Sequence, residues 1–506
     1  MNQDKFIDDI SKGYTFSGPS IVLGTAMLDK KAVPNTLVKI PLSTINRHGL
    51  VAGATGTGKT KTLQYFAEQL SKNGVGVLMM DIKGDLSGIA KPGTENPKVI
   101  ERYKVIGDVW KPEQFPVELL TISNEKGVRL RATVSEFGPV LLSKILELNE
   151  NQEGVVALAF KYCDDKKLPL LDIKDFRKVL QYLSNEGKSE IAQYGAISAQ
   201  SVGVILRKLI ELESQGAELF FGEVSFEVDD LIRKDKNGQG YVNVLRLADI
   251  QSKPKLFSTF MLCLLAEIYQ KFPEAGDSGA PKLVIFIDEA HLIFKEASKA
   301  LLEQIETIIK LIRSKGVGIY FCTQSPDDIP DSVLGQLGLK IQHALRAFTA
   351  KDRKAINLVA QNYPLTDHYK VDALLTELGI GEALVTALGE NGSPTPLAHV
   401  LLCAPASRMD VLTPQEQDEI VSRSEIAKHY NEVIDRDSAF EILSGKLKEV
   451  DAEVKPKTES TKKEKSVLEN VASSPILKSV VKEVTRGLLG VIFGGAASGR
   501  RRKSLF

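Results

Sequence analysis

The sequence predicts an α/β fold built on a mostly parallel sheet, and three segments support that prediction. Val75 to Met80 is a continuous apolar run that ends at Asp81, the pattern of a strand buried on both faces. Thr60 to Lys72, ahead of it, carries apolar residues at helical spacing. Lys282 to Asp288 is a second apolar strand. The order strand, loop, helix, strand is a right-handed crossover in a parallel sheet.

The overall charge balance hides an uneven distribution. The chain has 506 residues, 65 basic and 65 acidic, so its formal net charge is zero. Residues 455–506 hold 12 Lys and Arg against 4 Asp and Glu, which gives +8 there and −8 for the rest. A basic tail on an acidic body favours an anionic partner, whether nucleic acid, a lipid surface or another subunit. A solvated tail without a partner is an equally good interpretation.

Cysteine spacing and hydropathy argue for a cytoplasmic protein. The four cysteines lie far apart without a C-x-x-C pair, which argues against zinc sites and disulfide frameworks. Residues 1–14 carry charges throughout and lack the apolar centre of a signal peptide. No apolar stretch reaches the ~18 residues of a transmembrane helix, so we expect no transmembrane segment.

Composition and periodicity divide the chain into six segments. Residues 136–235 are mostly helical in pattern and interrupt the strands, so we interpret them as an insertion. The full predicted division is a short N-terminal strand segment (1–41), a first core part with the phosphate loop (42–135), the helical insertion (136–235), a second core part (236–442), a charged linker (443–470) and a basic, amphipathic, partly disordered tail (471–506).

Further strands complete the predicted core. Short strands are expected at Tyr103 to Ile106 and Val117 to Ile122, and a buried one at Gly316 to Thr323. Residues 383–388 and 397–403 are predicted to pair as a hairpin, joined by a loop that contains an Asn-Gly turn.

A phosphate-binding loop is the most specific motif. Its residues match G-x-x-x-x-G-K-[ST] between an apolar strand and a helix: Gly53, Ala54, Thr55, Gly56, Thr57, Gly58, Lys59 and Thr60, with Lys61 following. The glycines let backbone N–H groups converge on phosphate oxygens, and the helix begins at its electropositive end. Lys59 is expected to reach the β- and γ-phosphates, and Thr60 to bind Mg²⁺. The predicted ligands are therefore a nucleoside triphosphate and Mg²⁺.

A pair of carboxylates follows the apolar strand at Lys282. Asp288 at the strand end is expected to hold Mg²⁺ through a water, and Glu289 to orient and deprotonate the attacking water. His291 follows closely, and a role at the start of a helix is the simpler interpretation. Gln324, after the strand that ends at Thr323, is a candidate sensor of the γ-phosphate, although an ordinary loop residue fits equally well.

Two arginines stand near strand ends. Phosphoryl transfer often uses an arginine supplied by a neighbouring subunit. Arg313 precedes the strand that ends at Thr323, and Arg346 follows the next strand. Either one is a candidate for such a finger.

Together these segments resemble the HerA–FtsK group of P-loop ATPases, and more narrowly the bacterial HerA-like helicase-domain proteins. The resemblance runs from about Leu42 to Ala404. It rests on the phosphate loop and on Asp81-Ile82-Lys83-Gly84-Asp85, Ile287-Asp288-Glu289-Ala290-His291, Arg313-Ser314-Lys315-Gly316 and Thr323-Gln324.

The resemblance implies a RecA-like core, ATP as the nucleotide, a homo-oligomer in the form of a hexameric ring, and movement of double-stranded DNA. It further implies Glu289 as the catalytic glutamate, Gln324 as the sensor and Arg313 as the finger. Two other functions stay open: an ATPase that delivers or remodels a protein partner bound by the basic tail, and a nucleotide-dependent binding switch.

Overall fold

The computed structural model describes residues 3–276, 279–296, 299–432, 434 and 436–453. Over these residues the strands form one twelve-stranded sheet. They are β1 (Ser20–Leu28), β2 (Lys31–Pro41), β3 (Gly49–Ala52), β4 (Gly76–Asp81), β5 (Val117–Thr121), β6 (Val128–Arg129), β7 (Val242–Arg246), β8 (Leu283–Ile287), β9 (Val317–Thr323), β10 (Leu339–Gln342), β11 (Glu382–Thr386) and β12 (Ala398–Leu402).

The α-helices of the same residues differ widely in length. They are α1 (Gln3–Gly13), α2 (Lys59–Lys72), α3 (Pro97–Ile106), α4 (Val134–Ile145), α5 (Glu150–Lys166), α6 (Ile173–Ser184), α7 (Lys188–Ile191), α8 (Ala199–Ser214), α9 (Pro254–Lys271), α10 (His291–Glu296), α11 (Lys299–Ile312), α12 (Asp331–Leu334), α13 (Ala350–Gln361), α14 (Val371–Glu377), α15 (Pro414–Arg423), α16 (Ala427–Tyr430) and α17 (Ala439–Glu453). Within this part of the chain, none is both long and apolar enough to cross a bilayer.

The sheet is parallel in its larger part and antiparallel at one end. Its strand order is β2-β1-β12-β11-β10-β3-β9-β8-β4-β7-β5-β6. The strands from β10 to β6 pair in parallel, and β11, β12, β1 and β2 extend the sheet with antiparallel pairs. The predicted mostly parallel α/β fold is therefore confirmed. Its carboxyl edge gathers the ends of β3, β9, β8 and β4 side by side, and this edge carries the candidate site.

Helix α2 packs on the sheet through an apolar face. Leu63, Phe66 and Leu70 are buried on it, as their spacing predicts. The Phe66 ring meets Phe286 of β8 and Tyr320 of β9 edge-on, at centroid distances of 5.7 and 5.3 Å. This packing fixes the helix that follows the phosphate loop against the strands that carry the other site residues.

The structure corrects three sequence-based expectations. The predicted N-terminal strand segment begins with a helix, α1, which buries Phe6 and Ile10 one turn apart. The strand expected at Tyr103 to Ile106 is the last part of helix α3. The sequence carried that signal, because the Asn96 side chain caps the helix start and Gly107 ends it in a left-handed conformation.

The third correction concerns the charged linker expected at 443–470. Residues 443–453 belong to helix α17, and the rest of this linker and the basic tail at 471–506 lie outside the described residues. Charged residues are compatible with a helix when one side packs, and Leu443 is buried.

The chain divides into two compact units. The first comprises residues 1–133 and 210–434 and contains the whole sheet. The second comprises residues 134–209 and the chain from 435 onward, and is helical where described. Residues 210–235 group with the sheet here, whereas the sequence-based division placed them in the insertion. The domain boundaries therefore stay predictions.

Candidate nucleotide site

The phosphate loop leaves β3 at the carboxyl edge of the sheet and enters α2. Gly53, Gly56 and Gly58 have φ values of 151°, 80° and 109°, a region that side chains disfavour. The Gly53 N–H donates to Thr323 O (3.2 Å) and the Ala54 N–H to Ala344 O (2.8 Å). The start of the loop is thus hydrogen-bonded to the last residue of β9 and to the segment after β10.

The middle of the loop presents free donors. Within the described residues, no hydrogen bond uses the N–H groups of Thr55, Gly56 or Gly58. Lys59 is buried, and its Nζ donates to the carbonyl oxygens of Gly53 and Ala54, the latter at 3.1 Å. The loop can therefore offer several N–H groups and one ammonium to an anion.

Lys61 behaves differently from its neighbours in the motif. Its Nζ donates to Gln64 Oε1 (3.2 Å) and to the Met409 carbonyl oxygen. Its side chain therefore belongs to contacts that hold α2 to the 404–410 segment, and its part in nucleotide binding stays a prediction.

Asp288 and Glu289 follow β8 directly, two strands from β3. Their side chains are 4% and 8% exposed. Asp288 Oδ2 and Glu289 Oε2 are both buried without a hydrogen-bond partner in the described part of the chain. Glu289 has φ 47°, a left-handed conformation that costs a residue with a side chain about 1–3 kcal/mol and is concentrated at functional sites.

Burial dominates the electrostatics of the site. It raises the pKa of Asp288 above its ordinary value, an effect that Glu289 reinforces and Lys83 opposes. It lowers the pKa of Lys59, although Asp288 and Glu289 act in the opposite direction. Lys59 and the two acids therefore act on one another electrostatically.

Lys83 is a site residue to which the sequence analysis gave no role. It lies two residues after β4, the strand next to β8, and its Nζ contacts Glu289 Oε1 and lies 3.9 Å from Asp288 Oδ2. The signal was present, because Lys83 follows an apolar strand and residues after adjacent parallel strands gather at one edge.

The remaining predicted residues lie in different places. Gln324 follows β9 at the same edge and is exposed, and the residue before it accepts the Gly53 N–H. Arg346 is exposed in the loop after β10. Arg313 is exposed at the opposite edge, because it precedes β9, and a strand of that length spans about 20 Å. The structure therefore does not bring Arg313 to the phosphate loop of its own chain.

A second contact on the loop was not predicted. The Gly381 N–H donates to Thr57 O (3.1 Å), and Arg102 Nη1 donates to Gly381 O (2.9 Å) and Leu402 O (3.0 Å). Helix α3 and the turn before β11 thereby support the phosphate loop from the side. These residues are distant in sequence and carry no local motif that could have identified them.

The site combines free donors in a glycine-rich loop, a buried lysine, and an Asp-Glu pair that follows a parallel strand two positions from β3 in the sheet. These features define the class of P-loop nucleotide-binding proteins with a RecA-like fold.

Within that class, its family follows from sequence comparison. Residues 27–471 match the sequence profile of the family described as helicase HerA-like C-terminal, and the chain belongs to this family.

Relatives with assigned names share about a quarter of the residues. The chain is 23% identical over 371 residues to the DNA double-strand break repair helicase HerA of Sulfolobus acidocaldarius, covering 72% of this chain and 66% of that protein. It is 25% identical over 388 residues to the DNA import protein CedB of the same organism, covering 76% of this chain and 56% of that one. The chain thus spans between about half and two thirds of these two proteins.

Solved structures show the same fold. The bacterial conjugative coupling protein TrwB, lacking its first part, matches with a TM-score of 0.50 and 16% identity, over 80% of this chain and 94% of that one. The plasmid coupling protein TrwB in complex with ADP and Mg²⁺ matches with a TM-score of 0.50 and 15% identity, over the same shares.

Proposed function

We propose that this chain is a Mg²⁺-dependent ATP-hydrolysing motor that moves double-stranded DNA. The observation that carries the hydrolytic part is Glu289. Its carboxylate is buried beside Asp288 at the sheet edge that holds the phosphate loop, with one oxygen free of hydrogen bonds among the described residues. A protein that only binds nucleotide has no need of a second acid in this position.

Binding of the triphosphate begins with the loop. The free N–H groups of Thr55, Gly56 and Gly58 would donate to phosphate oxygens. The Lys59 ammonium, now on the carbonyl oxygens of Gly53 and Ala54, would exchange these neutral acceptors for charged ones. This exchange favours binding because a charged acceptor makes the stronger hydrogen bond.

The residues present fit Mg²⁺. Asp288 Oδ2 is a buried oxygen without a hydrogen-bond partner in the described residues, and Thr60 supplies a hydroxyl at the start of α2. No group of three or more His, Cys, Asp and Glu in that part of the chain could hold a metal alone, which fits an ion that is bound together with nucleotide phosphates. When bound, Mg²⁺ would neutralise charge that develops on the phosphate oxygens.

Hydrolysis requires a group that accepts a proton from water. Glu289 Oε2 is the available acceptor, and Glu289 would orient the water and take its proton. Gln324, exposed after β9 at the same sheet edge, would hydrogen-bond to the γ-phosphate or the water and so report which nucleotide is present. Asp288 stays with the metal, so the two acids have separate tasks.

A ring would complete the site. Arg313 lies at the edge away from its own phosphate loop, so we propose that it serves the nucleotide of a neighbouring subunit in a homo-hexamer. The exposed Arg346 is the alternative finger. Family membership supports the DNA substrate, since similar proteins are named for DNA repair and DNA import. Cys163, Cys263, Cys322 and Cys403 are buried as thiols and not joined in disulfides, which supports a reducing, cytoplasmic location.

The test compares the wild type with Glu289→Gln and with the exposed control Glu95→Gln. ATP hydrolysis is measured with and without linear duplex DNA at low and moderate salt. We expect DNA to stimulate the wild type and the control, less so as salt screens phosphate contacts. We expect Glu289→Gln to lose about 100-fold or more in kcat because it lacks the proton acceptor.

The outcomes separate the parts of the proposal. Unchanged turnover in Glu289→Gln would remove the catalytic role of Glu289. Hydrolysis that is indifferent to DNA would leave the ATPase standing and reject the DNA motor in favour of a protein-directed one. Binding of nucleotide without turnover in the wild type would indicate the switch.

A further inference from the structure

Two buried acids of the site share one flexible cation. The side chains of Asp288 and Glu289 are 4% and 8% exposed, whereas that of Lys83 is 36% exposed. The Lys83 ammonium contacts Glu289 Oε1 and lies 3.9 Å from Asp288 Oδ2. Two adjacent carboxylates with so little water would repel each other strongly, and a shared cation offsets this repulsion.

The backbone around Lys83 is built for this placement. Asp81 is buried at the end of β4 and accepts hydrogen bonds from the N–H groups of Gly84 (2.7 Å), Asp85 (3.1 Å) and Leu86 (3.1 Å). These bonds close a turn that contains Lys83. Because β4 pairs with β8 in parallel, with Met80 opposite Ile287, the turn emerges next to Asp288 and Glu289. The buried carboxylate of Asp81, on a central strand, thus fixes the backbone position from which the Lys83 side chain extends.

The two oxygens of Glu289 are in different situations. Oε1 is bound by Lys83, whereas Oε2 has no hydrogen-bond partner in the described residues and has His291 Nδ1 3.2 Å away. A carboxylate held through one oxygen has a restricted orientation, and its second oxygen stays available to water. Lys59 does not hold Glu289, because its ammonium is engaged by carbonyl oxygens of the loop.

We propose that Lys83 is a positioning residue for Glu289, holding the carboxylate through Oε1 so that Oε2 faces the attacking water. This inference rests on the role proposed for Glu289. Lys83 acts through the glutamate and makes no contact with phosphate in this role. Removing its charge lowers the rate of hydrolysis and leaves nucleotide affinity nearly intact.

The experiment uses the full chain with Lys83→Met, Lys83→Gln, Lys83→Arg and a control, Lys91→Met. Lys91 is a half-buried lysine eight residues further along the segment that follows β4. Affinity for a fluorescent ADP in the presence of Mg²⁺, kcat at saturating ATP and thermal unfolding are measured for each. We expect Lys83→Met and Lys83→Gln to lose about tenfold or more in kcat while the Kd changes less than about threefold. Lys83→Arg restores part of the rate because it keeps the charge, and Lys91→Met matches the wild type.

A double-mutant cycle then tests whether Lys83 works through Glu289. Lys83→Met added to Glu289→Gln should give no further loss in single-turnover hydrolysis, since the group it positions is already absent. A wild-type kcat in folded Lys83→Met or Lys83→Gln overturns the inference. So does a large loss of nucleotide affinity with kcat preserved, which makes Lys83 a phosphate ligand.

The same data distinguish this inference from the proposed function. Normal turnover in Glu289→Gln removes the catalytic glutamate and, with it, the basis of the Lys83 role. An inactive Glu289→Gln beside a fully active Lys83→Met removes the Lys83 role alone.

Discussion

At position 53 the phosphate loop has no room for a β-carbon. A Cβ built on Gly53 would lie 2.5 Å from Cβ of His343, and the φ of 151° disfavours any side chain. His343 is itself buried and is 3.1 Å from the Thr62 hydroxyl of α2 through Nε2, so it cannot move freely. The loop and the segment after β10 therefore depend on a glycine for their close approach.

Gly53→Ala is expected to weaken nucleotide binding about tenfold or more and to lower the free energy of unfolding by more than about 1 kcal/mol. The reason is that the added methyl group displaces the loop from His343 and misdirects its N–H groups. Fluorescent-nucleotide titration and urea unfolding measure the two effects. Gly154→Ala, in the exposed interior of α5 with nothing within 4 Å of the added carbon, should bind normally and be slightly more stable. Wild-type affinity in Gly53→Ala would show that the loop adapts.

Among the elements, β9 and α11 are joined by a buried imidazole. His48 precedes β3, its Nε2 donates to Ile309 O of α11 (2.9 Å), and its Nδ1 accepts the Ile319 N–H of β9 (3.0 Å). Because Nδ1 must be unprotonated to accept the Ile319 N–H, the two bonds together require the neutral ring. Burial lowers the pKa of His48 to about 4 from its ordinary 6.5, and nearby Arg313 acts in the same direction. This contact supports the helix that ends just before Arg313.

His48 should make the fold sensitive to acid. A pKa that is lower in the folded than in the unfolded chain gives stability that is complete above about pH 6.5 and is lost as the pH falls toward about 4. We expect this group alone to cost about 2 kcal/mol of unfolding free energy between neutral pH and about pH 5. The unfolding free energy of His48→Asn should be lower at neutral pH and should decline less with acid.

Urea unfolding at a series of pH values measures how steeply the unfolding free energy of the wild type and of His48→Asn changes with pH. The buried His343, with its pKa lowered to about 4 by burial, contributes equally to both chains and cancels in the comparison. His429→Asn on the surface is the control and should keep the wild-type slope. Equal slopes for the wild type and His48→Asn would contradict the expectation.

At the scale of the whole molecule, charge is separated along the chain. Residues 455–506 carry a net charge of +8, and the rest of the chain carries −8. The densest basic run is formed by Arg500, Arg501, Arg502 and Lys503. An acidic body has weak affinity for a polyanion, so a basic segment would supply much of the attraction to DNA.

Replacing Arg500, Arg501, Arg502 and Lys503 by Gln should therefore lower the affinity for duplex DNA. The slope of log K against log salt concentration should become less steep by up to ~0.9 for each phosphate contact that is lost. Hydrolysis without DNA should stay at the wild-type level. Anisotropy titrations of labelled duplex over a range of salt give both quantities. Replacing Lys455, Lys457, Lys462 and Lys463 by Gln removes the same charge and tests whether position matters. Unchanged DNA affinity in both variants would direct the search to a protein partner of the tail.

Much of the fold was accessible to reasoning from sequence, because its signals are local. Apolar runs such as Val75 to Met80 identify strands buried on both faces, and the phosphate-loop motif requires a strand before it and a helix after it. The capping signal of α3 was local too. The strand prediction there was wrong because apolar residues occur in both helices and strands, whereas Asn96 and Gly107 mark the two ends of a helix.

The sequence also sufficed to single out Lys59, Asp288 and Glu289 as candidates, since each stands at a fixed place relative to a recognisable strand or loop. Other features of the site depend on the strand order β3-β9-β8-β4 and on long-range contacts. These features are the position of Lys83 beside Glu289, the contacts of Gly381 and Arg102 that support the phosphate loop, and the distance of Arg313 from that loop. Such contacts form between residues up to about 300 positions apart in the sequence. They could not be predicted, because no local sequence pattern indicates which strands become neighbours in the sheet. Motifs therefore identify the chemistry of the site, whereas packing of the sheet decides which further side chains surround it.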